Sequence, residues 1–96
     1  MPNTFSGKPV IAENITTRVF GDETVVMSLE TLKTFYLNES AALIWTLLTE
    51  ADSIDRIIDL VQEHYDVTPE ECTDEVNRLL ESWSAEKLIQ FTDNNV

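Results

Sequence analysis

Histidine and cysteine are nearly missing from this chain, one of each in 96 residues, and glycine occurs twice. One histidine and one cysteine are too few ligands for an independent zinc site. Two glycines cannot build a phosphate-cradling loop. A lone cysteine, Cys72, excludes an internal disulfide and points to a reducing compartment, the cytoplasm. No apolar run approaches the ~18–20 residues that cross a bilayer. The first residues, Met1 to Lys8, lack the charged start and apolar run of a signal peptide.

Basic residues are also scarce, 6 Lys and Arg against 18 Asp and Glu, for a net charge of -12. Such a surface repels phosphate backbones and anionic lipid, and favours neutral or basic partners. Neither nucleic acid nor membrane is expected as a partner. With 43% apolar residues, one core can form without metal or disulfide. A chain of this length is one domain, assigned to residues 9–91, with flexible ends at 1–8 and 92–96.

The first third has strand character. Ile15, Thr17 and Val19 alternate with Thr16, Arg18 and Phe20, and Gly21-Asp22 supplies a hairpin turn. Val25, Met27 and Leu29 then alternate with Thr24, Val26 and Ser28. The run Thr34 to Leu37 is β-favouring and aromatic. Strands are expected near 15–20, 23–29 and 33–37.

From Asn38 the period becomes helical, with Asn38 as N-cap and Ala41, Ile44, Trp45 and Leu48 on one face. Asp52 or Ser53 caps a second helix, whose stripe is Ile54, Ile57, Ile58, Val61 and Tyr65. Thr68-Pro69-Glu70-Glu71 has the layout of a capping box with proline at the first helical position. Cys72, Val76, Leu79, Leu80 and Trp83 follow it. Helices are expected near 39–49, 54–65 and 69–84, with Leu88 to Phe91 as a last turn or closing strand. The fold class is α+β, a three-stranded antiparallel sheet followed by three helices, winged helix-turn-helix-like. Trp45, Ile57, Ile58, Val76, Leu80 and Trp83 belong to the core.

Catalysis finds little to stand on. His64 falls near the end of the second helix, where it complements the helix dipole from the surface. Cys72 lies on a core stripe and acts as a small hydrophobe. Asp52, Asp55, Asp59 and Glu63 step along a solvated helix face. No catalytic residue, metal or cofactor is assigned, and the chain is read as not an enzyme. A DNA-binding winged helix brings cations to phosphates with its last helix, yet here Glu70, Glu71, Asp74, Glu75 and Glu81 surround Arg78. A surface for protein or peptide is left, and an edge strand at 34–37 would offer unpaired backbone groups to an extended peptide.

The run Tyr36-Leu37-Asn38-Glu39-Ser40-Ala41-Ala42-Leu43-Ile44-Trp45 resembles the central motif of the PqqD-like family, also called RiPP recognition elements. The resemblance continues through Ser53 to Tyr65, Asp66-Val67-Thr68-Pro69-Glu70-Glu71, Val76, Leu79, Leu80 and Leu88-Ile89, covering residues 15–91. It implies a winged helix-turn-helix without DNA binding. It also implies a peptide chaperone for the leader of a ribosomally made precursor. The leader would add as a strand beside the third strand, against the third helix. A modifying enzyme would then receive the precursor: a radical S-adenosylmethionine enzyme, a cyclase (cyclodehydratase), or a leader protease.

Two departures stand out. Many relatives have glycine before the closing apolar pair, where this chain has Lys87, leaving the end of the third helix open to a different geometry. The C-terminal pattern associated with pyrroloquinoline-quinone biosynthesis itself is absent, so the family does not fix the pathway. The peptide site is expected at Lys33, Thr34, Phe35 and Tyr36 on the edge strand, with Glu75, Arg78, Leu79 and Ser82 on the third helix. Along that helix Arg78 also has Asp74 and Glu81 within pairing reach. The alternatives are a winged-helix transcription regulator and a non-catalytic regulatory subunit of a protein partner. Homodimerisation is left open.

Overall fold

The computed structural model describes residues 8–92; of the expected flexible ends at 1–8 and 92–96, residues 1–7 and 93–96 lie outside the described residues. The element order is β1 (Lys8–Ile11), β2 (Ile15–Phe20), β3 (Glu23–Ser28), β4 (Thr34–Leu37), α1 (Glu39–Glu50), α2 (Ile54–His64), α3 (Pro69–Ala85) and β5 (Ile89–Thr92). The α+β order of three central strands and three helices is as expected, with boundaries within a residue or two.

Strands β2, β3 and β4 form an antiparallel sheet in that order, so among the described residues β2 and β4 are its edges. Phe20 pairs with Glu23 around Gly21-Asp22, and Gly21 has φ +60°, the conformation the first position of a II′ hairpin turn requires. Thr24, Val26 and Ser28 share a face with Phe35 and Leu37, by the register Thr24 to Leu37 and Val26 to Phe35. That face packs on the helices: Val26, Ser28 and Leu37 are buried. The more apolar set, Val25 and Met27, lies half-covered on the outer face beside exposed Tyr36.

A second ladder was not anticipated. β1 pairs antiparallel with β5, Lys8 opposite Thr92 and Ile11 opposite Ile89, and Ala12 N–H donates to the Leu88 carbonyl at 2.9 Å. Lys8 and Thr92, expected in flexible ends, are therefore paired. Leu88 to Phe91 resolves as the closing strand. Pro9 sits buried within β1, tolerated because the two-stranded ladder leaves an open side that needs no amide donor.

Each helix begins with a side-chain cap. Asn38 accepts from the Ala41 amide at 2.8 Å, and Ser53, not Asp52, accepts from Arg56 at 3.1 Å. In the capping box, Glu71 N–H donates to Thr68 Oγ1 at 3.1 Å and Thr68 N–H to Glu71 Oε1 at 3.2 Å. At the end of α3, Leu88 N–H donates to Trp83 O and Lys87 N–H to Ser84 O, with Lys87 at φ +62°. This is a Schellman cap, so Lys87 adopts the left-handed conformation for which glycine is the usual residue.

The core gathers Val26, Leu37, Ile44, Trp45, Leu48, Ile57, Ile58, Val61, Val76, Leu80, Trp83 and Leu88, all buried, and includes all six expected residues. Trp45 buries its ring while Nε1–H donates to Thr17 Oγ1 at 3.0 Å, which satisfies the indole. Among the described residues no helix is long and apolar enough to cross a membrane.

Candidate functional site

Among the described residues, the strand order leaves one side of β4 without a strand partner. Beside it runs a groove of about 440 Å³. Thr34 to Leu37 form one wall, the first turn of α1 contributes Asn38 and Ala41, and Leu79, Ser82 and Trp83 of α3 form the other wall. An edge strand facing a helix across a groove presents two kinds of recognition. Backbone amides and carbonyls can pair an extended chain, while the helix supplies side-chain contacts.

Five of the eight expected site residues line this groove: Thr34, Phe35, Tyr36, Leu79 and Ser82. Phe35 turns toward the core and is half-buried, whereas Tyr36 points to the outer face and is 71% exposed. Lys33 stands at one end, its Nζ 3.2 Å from Glu86 Oε1. Arg78 pairs with Glu75, three residues back, and not with Asp74 or Glu81. Glu75 faces a neighbouring depression between the helices. Arg78 is exposed and outside the groove lining.

Sequence reading missed Leu37, Asn38, Ala41 and Trp83 as wall residues. Trp83 was available from periodicity, since it lies four residues beyond Leu79 on the same helix face. Asn38 and Ala41 depend on how α1 leaves β4, which no local pattern encodes.

Cys72 is buried, with Sγ 3.5 Å from the Ile58 carbonyl. Burial raises its thiol above the ordinary value of 9.0, and the carboxylates of Asp59 and Glu75 raise it further. His64 is exposed at the end of α2, its Nδ1 3.0 Å from the Leu60 carbonyl. Among the described residues no group of three or more His, Cys, Asp or Glu side chains is arranged to hold a metal ion.

The described residues form a small α+β domain with a winged helix-turn-helix layout and an open strand edge beside a helix. The chain belongs to the PqqD family, since the model for Coenzyme PQQ synthesis protein D (PqqD) matches residues 23–89. That match begins at β3 and ends in β5, so it spans the groove and the helices. No curated protein matches the sequence. Two solved structures share the fold. "TbiB1 in Complex with the TbiA(beta) Leader Peptide" is 24% identical with a TM-score of 0.81, covering 88% of this chain and 99% of that one. "Lasso peptide synthetase B1 complexed with the leader peptide" is 17% identical with a TM-score of 0.80 and the same coverages.

Proposed function

We propose that this protein binds the leader of a ribosomally synthesised precursor peptide by strand addition to β4 and presents the precursor to a modifying enzyme. The observation that carries this reading is the open β4 edge facing α3 across the groove. Membership of the PqqD family supports it, as do two neighbours of the same fold that were solved with leader peptides. Paired backbone supplies affinity with little demand on sequence, and contacts at Phe35, Leu79 and Ser82 set the register. The receiving enzyme is a radical S-adenosylmethionine enzyme, a cyclase or a leader protease. The chaperone itself performs no chemistry and works in the cytoplasm, where Cys72 stays reduced.

Regulation of transcription is the weaker reading, because α3 bears Glu70, Glu71, Asp74, Glu75 and Glu81 against a single arginine. The test is amide chemical-shift mapping with a synthetic leader from a short precursor gene beside this one. Shifts should cluster at residues 33–37 and 75–83. Shifts confined to β2 and α2 would refute the placement.

A further inference from the structure

We infer that the peptide site continues beyond the end of β4 into the depression between the three helices, which selects a bulky apolar side chain next to a lysine or arginine. The inference rests on strand addition at β4 and specifies the class of peptide bound.

The Lys33–Glu86 contact joins the start of β4 to the C-terminal end of α3, so α3 runs back along β4 toward Asn38. A chain leaving the strand edge at the Leu37 end therefore meets the first turn of α1 and the N-terminal half of α3. There Ser40 faces Glu71, Cys72 and Glu75 across the second depression. On α3 the step from Leu79 in the groove to Glu75 in the depression is one turn, about 6 Å, or roughly two residues of extended peptide. The two spaces adjoin at Ser40 and Ala41 of α1 and one turn apart on α3, so a single extended chain can reach both.

The depression has a volume of about 290 Å³ and is walled by Ile44, Val61, Tyr65, Val67 and Cys72. A lined apolar cavity of about 150 Å³ already accepts benzene, so there is room for an aromatic or branched aliphatic side chain. Its rim carries the carboxylates of Glu71 and Glu75, and Glu39 opens α1 next to Ser40. Arg78, paired with Glu75, is the only cation that contacts these groups among the described residues. The rim stays negative, which admits a basic flank and rejects an acidic one. The raised thiol of Cys72 at the floor, lifted by burial and by Asp59 and Glu75, is consistent with that field.

The probe is a displayed library of random dodecapeptides selected on the immobilised protein, with the best binder then synthesised. Enriched peptides should carry Leu, Ile, Phe, Tyr or Trp within one or two positions of Lys or Arg. Val67→Lys, at an exposed rim position, should weaken the synthesised peptide by at least about tenfold, since it blocks an apolar anchor. Glu71→Gln removes a charge but can still serve the capping box, and should weaken binding about two- to fivefold. Thermal melts should show both variants folded. Peptides that shift β4 amides yet lack the apolar-basic pair, or undiminished binding to Val67→Lys, would overturn the extension and leave strand addition standing. A library that yields no binder would overturn both.

Discussion

Trp83 meets Trp45 edge-on, ring centroids 5.1 Å apart and planes at 88°. The first ring lines the groove beside β4 and the second lies in the core, where its Nε1–H holds Thr17 of β2. The sheet, the first helix and the groove wall thus share one aromatic contact. Trp45→Ala should cost ~3–5 kcal/mol, a large fraction of a small domain's stability. Urea unfolding checks it, and an unchanged midpoint would show that the contact carries no stability.

Lys87 gives a prediction of opposite sign. Its φ of +62° places a lysine where a left-handed residue completes the α3 cap. A non-glycine residue there costs about 1–2 kcal/mol, part of which glycine gives back through unfolded-state entropy. Lys87→Gly should therefore stabilise the domain by about 0.5–1 kcal/mol, seen as a higher urea midpoint. A lower midpoint would mean that the side chain matters more than the backbone.

The cap at the other end of α3 is testable in the same way. Thr68→Ala removes the acceptor for the Glu71 amide and breaks the reciprocal box. The expected loss is about 1 kcal/mol. Thr68→Ser should retain most of the wild-type stability.

Cys72 makes stability depend on alkaline pH. Its thiol is raised above 9.0 in the folded state, chiefly by burial, so above that value the unfolded chain releases a proton more readily than the folded one. The native state then binds more protons, and stability falls as pH rises through this range. Comparing urea midpoints at pH 8 and pH 10 should show a larger drop for the wild type than for Cys72→Val. Equal drops would contradict the assignment.

Much of the fold was legible because its signals are local. Asn38, Ser53 and Thr68-Pro69 mark helix starts by what their own side chains and rings can do within one turn. Gly21-Asp22 marks the hairpin. The β1–β5 ladder was hidden because it joins residues such as Lys8 and Thr92 from opposite ends of the chain, through a four-residue strand containing Pro9. The inward face of β3 was also hidden. Val25, Val26 and Met27 are consecutive and apolar, so alternation alone does not choose the buried side, and the helices settle it through Val26. For the lining of the groove, Thr34, Phe35, Tyr36, Leu79 and Ser82 were readable, whereas Glu75 and Arg78 were placed there by spacing alone. Their mutual ion pair and the turn of α3 put Glu75 at the neighbouring depression and Arg78 in solvent.

Among the described residues the sheet has two edges, β2 and β4, and the proposed strand addition uses only β4. Hydrogen–deuterium exchange of the backbone amides, measured with and without a synthetic leader peptide, reads each edge separately. Amides of β4 that β3 leaves unpaired should become protected on binding, while those of the opposite edge at Ile15–Phe20 should exchange unchanged. Protection at β2 with β4 unaffected would contradict strand addition at the groove.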